Sequence, residues 1–145
     1  MRIEAYCDQG HGSCLLRDPV AARLVQESLF AGHGSKYLLH NWVVMPNHVH
    51  LVATPLGISL DKLVQTLKGS SSSALNKLLQ REGRLWQAGY FDRVIRDFEH
   101  FIGVRRYIDW NPVKAKLCQD PVLWPWSSAN AAARDRLELI KERGL

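Results

Sequence analysis

The most informative part of this chain is a run of twelve residues, WVVMPNHVHLVA, at positions 42–53. Apolar residues fill both ends of it, and Pro46-Asn47 between them has the composition of a tight turn. We therefore predict an antiparallel hairpin with strands at 36–45 and 48–54. Because side chains alternate between the two faces of a strand, His48 and His50 should lie side by side on one face, ~7 Å apart along the strand.

The residues before the hairpin predict a strand and a helix. A short strand is expected at 3–7, followed by a turn at 8–13 that contains glycine and other turn-forming residues. The helix begins with Asp18 as N-cap and Pro19 at its first position, and it ends at Gly32.

The residues after the hairpin predict two more helices with a strand between them. Ser59 caps the first helix, and its apolar periodicity continues through the serine-rich segment 69–73, as one kinked helix or as two. Aromatic and β-branched residues predict a strand at 86–95. A regular helix is expected from about 98 to 110.

In order, these elements form β-α-β-β-α-β and then an extra helix. This order is typical of the ferredoxin-like arrangement, an α+β fold in which an antiparallel sheet has helices on one face. A chain of 145 residues is long enough for one domain and too short for two ordinary ones, so we predict a single domain at 1–145. A turn at 124–128 and a charged, helix-like tail from about 131 complete it.

The composition narrows the class of protein. With 46% apolar and 23% charged residues, the chain is typical of a soluble globular protein. The net charge of +5 favours a polyanionic partner if the excess is clustered, although proteins that bind no nucleic acid often carry such an excess. Three cysteines without a CxxC pair favour a reducing compartment, the cytoplasm. No signal peptide is recognisable, and no apolar run approaches the ~20 residues of a membrane span.

The two histidines have more than one interpretation. Neighbouring imidazoles on one strand face can bind one metal ion, but a hairpin with polar residues on its solvent face would look the same. A tetrahedral zinc site would need further ligands, for which Cys7, His11 and Cys14 are the candidates.

A second pair of polar residues lies on the predicted last helix. Tyr107 and Asn111 are four residues apart, which places them on one helix face, one turn apart. Tyr107 can also be an ordinary buried tyrosine with its hydroxyl at the helix edge. Asn111 precedes Pro112, and it can end this helix and cap a short one at 113–117.

Four segments together resemble the REP-associated tyrosine transposases of the single-tyrosine HUH superfamily, named for a His-hydrophobic-His motif. The segments are MPNHVHL at 45–51, WQAGYFDRVIRD at 86–97, RYIDWNPVKA at 106–115 and WPWSS at 124–128. Their order and spacing match over about residues 36–130, which is far more specific than any one motif. The resemblance implies a ferredoxin-like palm, a divalent metal site and a tyrosine that cuts single-stranded DNA.

Carried over to this sequence, the resemblance implies a role for each polar residue. His48, His50 and Asn111 would bind the metal, for which Mg²⁺ or Mn²⁺ suits imidazole, amide and water ligands. Tyr107 would attack a DNA phosphorus and form a 5′-phosphotyrosine with a free 3′-hydroxyl. The implied partner is single-stranded DNA with hairpin structure, and a monomer is favoured over a dimer.

Basic and aromatic residues near the predicted site are candidates for DNA contacts. The basic ones are Arg93, Arg96, Arg105, Arg106, Lys114, Lys116 and, beside the serine-rich segment, Lys68. A solvated basic surface is the alternative for each of them. Trp86 and Trp110 can stack on unpaired bases, but tryptophans are more often in the core.

The chain departs from the family at its beginning, where residues 3–11 are short and polar for the expected edge strand. Two other functions therefore stay open. One is a protein of the same fold that binds DNA hairpins without cutting them. The other is a metal hydrolase whose histidines act with an activated water and which does not need the tyrosine.

Overall fold

The structure is a computed structural model that describes residues 1–9 and 14–143, so most of the predicted turn at 8–13 lies outside the described residues. Four strands and four α-helices form within these two ranges. They are β1 (Ile3–Asp8), α1 (Pro19–Ala31), β2 (Tyr37–Val44), β3 (His48–Pro55), α2 (Leu60–Leu79), β4 (Phe91–Val94), α3 (Phe98–Lys114) and α4 (Ala131–Arg143). The predicted α+β class and element order are confirmed. Among the described helices, none combines the length and apolar character that crossing a membrane requires.

The strands form one sheet in the order β2-β3-β1-β4, and every neighbouring pair is antiparallel. The predicted hairpin is therefore present, and its turn is closed by a hydrogen bond from the Met45 N–H to the His48 carbonyl, 2.8 Å long. The expected edge position of β1 is wrong, because β1 lies in the centre between β3 and β4. The polar side chains of β1 alternate with the buried Ala5 and Cys7, so they lie on the other face of the strand.

The two faces of the sheet are covered by different helices. Val49, Leu51 and Ala53 of β3 belong to the large apolar core that α1 and α2 complete. On the opposite face, Val52 packs with Val104 of α3 in a much smaller cluster. The palm helices thus lie on one face, as predicted, and the extra helix α3 covers the other.

Local capping signals define α1 and α2. The Asp18 carboxylate accepts a hydrogen bond from the Val20 N–H at 2.9 Å, and α1 is followed by Gly32, as predicted. The serine-rich segment does not break α2, which is a single helix. Ser71 in that segment is buried, and its hydroxyl donates to the Leu67 carbonyl at 2.7 Å.

The fourth strand is shorter than the predicted strand at 86–95. Trp86 is buried in the core instead, and the following residues form a loop with Gly89 in a left-handed conformation. The Lys68 ammonium donates to the carbonyls of Gln87, at 2.8 Å, and Gly89, which holds this loop in place. The aromatic residue at the start of the predicted strand therefore reflects burial in the core, whereas Phe91 is exposed and begins the strand that does form.

The third helix is longer than predicted, since it continues through Pro112 to Lys114. Proline lacks the N–H that would donate to the Ile108 carbonyl, so α3 has one backbone hydrogen bond fewer in its last turn, and the Pro112 ring is buried. Asn111 is consequently inside α3 and does not cap a new helix at 113–117. Its carbonyl accepts from the Ala115 N–H at 3.0 Å.

The segment predicted as a turn at 124–128 lies along the outer edge of the sheet. The Val44 N–H donates to the Trp126 carbonyl at 2.8 Å, and the Ser128 N–H donates to the Trp42 carbonyl at 3.0 Å. These bonds cover part of the exposed edge of β2, which would otherwise be free to pair with another chain. The predicted tail is α4, which buries Leu137 in the large core.

Candidate active site

A cleft of about 510 Å³ opens on the α3 face of the sheet. It is built from one helix and three strands, so residues that are distant in the sequence meet there. Its lining residues are Glu4, Tyr6, His50, Phe91, Arg93, His100, Gly103, Val104 and Tyr107. The arrangement follows from the register of the sheet, which sets Tyr6 of β1 between His50 of β3 and Phe91 of β4.

The two histidines and two tyrosines form a group of contacting rings. The His48 ring stacks on Tyr6 with ring centroids 4.7 Å apart, and the His50 ring meets Tyr6 edge-on at 5.8 Å. His50 also meets Tyr107 edge-on, with centroids 5.5 Å apart. The face that carries these histidines is therefore not an open solvent face, and His50 is only 3% exposed.

Burial keeps both imidazoles neutral. The pKa of His48 is lowered to about 4, chiefly by burial and to a smaller extent by the neighbouring His50. Burial also lowers the pKa of His50, against the opposing effect of Glu4. At neutral pH each ring thus has one nitrogen with a free lone pair, the form that binds metals.

Each histidine has one nitrogen engaged and one without a partner. The His48 Nδ1 lies 2.8 Å from the Asn47 side-chain oxygen, and the His50 Nε2 lies 3.1 Å from a Glu4 carboxylate oxygen. The other two atoms, His48 Nε2 and His50 Nδ1, are buried and lack a hydrogen-bond partner in the described part of the chain. Buried polar atoms are rarely left unpaired, so the pair fits a site that accepts a cation.

Among the described residues, a third ligand for a metal held by these histidines would have to be of another residue type. Within the described residues, no group of three or more His, Cys, Asp or Glu side chains could hold a metal ion. The zinc alternative lacks support for this reason, and Cys7 points to the opposite face, into the large core. His11 lies outside the described residues.

Asn111 lies one turn beyond Tyr107 on α3 and is half-buried. Among the described residues, no hydrogen bond joins its side chain to either histidine. The structure thus brings His48, His50 and Tyr107 together around Tyr6, and it places Asn111 one turn from Tyr107 along α3. Asparagine offers a carbonyl oxygen, which suits Mg²⁺ or Mn²⁺.

Tyr107 is exposed rather than buried, with 53% of its surface accessible. It lines the first cleft and also a second groove of about 670 Å³ on the outer side of α3. The groove is lined by Gly103, Arg106, Tyr107, Trp110, Val113 and Lys114. The Lys114 ammonium lies 5.7 Å from the centre of the Tyr107 ring. Tyr107 therefore stands where two open clefts meet, with cations beside it.

The predicted DNA-contact residues divide into two sets. Arg93 lines the first cleft, where it also pairs with Glu4 at 3.1 Å, and Arg106 and Lys114 line the groove. The others lie outside the linings of both clefts: Arg105 pairs with Asp109 at 3.8 Å, the Arg96 N–H donates to His100, Lys116 follows the end of α3, and Lys68 donates to loop carbonyls. Of the two tryptophans, Trp86 is core and Trp110 is half-exposed in the groove.

Sequence reasoning missed two residues of the site, Glu4 and Tyr6. Glu4 is 5% exposed and binds both His50 and Arg93, and Tyr6 contacts both histidine rings. The signal was present, because polar residues alternate with Ile3, Ala5 and Cys7 along β1. Such alternation indicates a strand with one apolar and one functional face.

Known proteins resemble this arrangement. Residues 15–111 match the model of a family described as IS200-like transposase. The fold is similar to that of a REP-associated tyrosine transposase bound to a REP hairpin, with a TM-score of 0.69, 22% identity and coverage of 88% of this chain and 74% of that one. A putative transposase from Deinococcus radiodurans has a TM-score of 0.57, 20% identity and coverage of 74% and 88%.

No curated protein sequence matches significantly. The family match nevertheless spans more than half of the chain, and it runs from the residues before α1 through the histidine strand to Asn111 on α3. The cleft and its exposed tyrosine thus belong largely to the matched segment. This chain is a member of the IS200-like transposase family.

Proposed function

We propose that this protein is a metal-dependent single-stranded DNA endonuclease and strand transferase with Tyr107 as its nucleophile. The observation that carries the proposal is the place of Tyr107: its ring is exposed, it contacts the His50 ring, and it lies where two clefts meet. A tyrosine in that position is accessible to a phosphate in either cleft. Membership of a transposase family supports the same chemistry.

The proposed reaction is a transesterification. The Tyr107 oxygen attacks the scissile phosphorus, so that a bond between this oxygen and phosphorus forms and the bond to the 3′ oxygen breaks. The tyrosine gives up its proton to solvent, and the departing 3′ oxygen takes up a proton to become a hydroxyl. Attack by a 3′-hydroxyl on the 5′-phosphotyrosine reverses the sequence and rejoins DNA without ATP, because the covalent link keeps the phosphodiester energy.

His48, His50 and Asn111 are the proposed ligands of a divalent metal, Mg²⁺ or Mn²⁺. When bound, that ion supplies Lewis-acid polarisation of a phosphate oxygen and stabilises the charge on the leaving group. The chain contributes the orientation of the ligands. Tyr6 stacks on the His48 ring, and the Asn47 side chain engages its Nδ1.

The strand is proposed to cross α3 at Tyr107. Arg93 would hold phosphates on the side of the first cleft, and Arg106 and Lys114 on the side of the groove. Trp110 in the groove can stack on an unpaired base. The substrate class we propose is single-stranded DNA with hairpin structure, since the similar REP-associated transposase was solved with a REP hairpin. One chain holds all four proposed residues, which favours a monomer.

The proposal is tested by looking for a covalent adduct between the protein and DNA. The wild-type protein, Tyr107→Phe and the control Tyr90→Phe are incubated with labelled hairpin DNA and Mn²⁺, and adducts that survive denaturation are counted on gels. We expect adducts with wild type and the control only. Shifted mobility without an adduct in any protein would instead identify a non-catalytic hairpin-binding protein. Cleavage that persists in Tyr107→Phe would identify a hydrolase.

A further inference from the structure

One buried carboxylate contacts the site without lying on the elements that carry the nucleophile or the histidines. Glu4 lies on the central strand β1 and is 5% exposed. One of its oxygens is 3.1 Å from His50 Nε2, and the other is 3.1 Å from an Arg93 guanidinium nitrogen. Both oxygens are therefore in use, so Glu4 is held in one position between β3 and β4.

We propose that Glu4 is a positioning residue that holds His50 in the tautomer whose Nδ1 lone pair is available to a divalent cation. An ionised carboxylate can only accept hydrogen bonds, so the His50 nitrogen that faces it must carry the proton. In a neutral imidazole the lone pair then belongs to Nδ1, the atom that is buried without a hydrogen-bond partner in the described part of the chain. This inference rests on the metal site of the proposed function.

The second histidine shows the complementary arrangement. The Asn47 side-chain oxygen faces His48 Nδ1 and accepts its proton, which leaves the lone pair on Nε2, again an unpartnered buried atom. Two histidines of one strand face thus each donate one N–H to a neighbouring side-chain oxygen and keep the other nitrogen free. Such partners fix ring orientation and raise the basicity of a metal-binding imidazole.

Stability alone does not account for a glutamate at this position. A buried ion pair is often no better for stability than well-packed apolar residues, because the desolvation of both charges offsets their attraction. On the same face, Val52 lies directly opposite Glu4 on β3 and belongs to an apolar cluster that an apolar side chain at position 4 would extend. Arg93 is half-exposed, so it can neutralise Glu4 at little desolvation cost of its own.

The test uses two Glu4 variants and two measurements on the whole protein. Isothermal titration with Mn²⁺ gives the affinity, and ¹⁵N NMR of the histidine rings of the metal-free protein gives the tautomer of His50. For Glu4→Leu we expect a mixture of tautomers and about 10- to 100-fold weaker Mn²⁺ binding. Glu4→Gln keeps a side-chain oxygen that can accept, so we expect the wild-type tautomer and a loss below about 10-fold.

The control is Glu27→Leu, which removes a glutamate from an ion pair with Arg136 on the α1 side of the molecule and should leave Mn²⁺ affinity unchanged. A Glu4→Leu protein with wild-type Mn²⁺ affinity and a single His50 tautomer would overturn the inference. If wild type itself bound no Mn²⁺, the proposed metal site would fail. The NMR comparison of wild type with Glu4→Leu would then still decide whether Glu4 sets the tautomer.

Discussion

The two faces of the sheet carry side chains of different kinds, apolar on one and polar or aromatic on the other, although the same strands build both. On the α1 and α2 face, Val49 and Leu51 join a continuous apolar core. On the α3 face, their neighbours His48 and His50 lie among tyrosines and charged residues at the edge of a cleft. One residue along β3 is enough to pass from one environment to the other.

Side-chain alternation along the strands therefore separates the residues that stabilise the fold from those that build the site. The large core supplies most of the apolar burial, so the α3 face can hold groups that contribute little to stability, such as neutral histidines and a buried glutamate. Substitutions on the two faces should therefore affect different measurements.

The largest effect expected on the α3 face is a loss of activity without a loss of structure. We expect His48→Ala to abolish metal-dependent cleavage of hairpin DNA while the far-ultraviolet circular dichroism spectrum stays unchanged. His40→Ala, on β2, is the control and should keep activity, because His40 bonds Thr54 and lies outside the cleft lining. Full activity of His48→Ala would exclude it as a metal ligand.

The largest effect expected on the opposite face is a loss of stability. Leu51 is fully buried, so Leu51→Ala removes apolar contacts and leaves a cavity, at a cost of about 2–5 kcal/mol in the free energy of unfolding. Urea denaturation followed by tryptophan fluorescence measures it. A cost under about 1 kcal/mol would mean that this face is not the main core.

A smaller contrast concerns two cations. Arg106→Gln should weaken binding of single-stranded DNA several-fold and lower the slope of log affinity against log salt by about 0.7, because one phosphate contact is lost. Lys68→Gln should leave that slope unchanged but lower stability, since Lys68 holds the loop before β4. Equal slopes for both variants, measured by fluorescence anisotropy, would contradict the proposed path of the strand.

The smallest contrast concerns two glycines. A Cβ on Gly103 of α3 would meet nothing within 4 Å, so Gly103→Ala should raise stability by about 0.5–1 kcal/mol through helix propensity. A Cβ on Gly32 would overlap the Tyr37 ring, so Gly32→Ala should be destabilising. Thermal denaturation of both variants shows the difference. A lower melting temperature for Gly103→Ala would contradict the open space at that position.

Elements with local signals were predictable from the sequence. Asp18-Pro19 specifies the start of α1 through its own backbone and side-chain geometry, and Pro46-Asn47 specifies the hairpin turn in the same way. The errors arose where distant contacts override local preference. The buried ring of Pro112 allows α3 to continue, and the burial of Trp86 takes the start of the predicted strand out of the sheet.

The candidate site shows the same division. His48, His50 and Tyr107 were recognisable because motif and spacing are properties of the sequence. Glu4 and Tyr6 were missed, because the alternation along β1 marks a polar face but the groups that this face meets depend on which strands become neighbours.

The hairpin, the order of elements and the alternation that puts both histidines on one face follow from the amino-acid sequence alone, because they depend on residues close together in the chain. By contrast, the central place of β1, the covering of the histidine face by α3 and the exposure of Tyr107 between two clefts arise from tertiary packing. The physical reason is that strand pairing and helix packing join residues far apart in the chain, and the choice among such pairings depends on burial over the whole molecule.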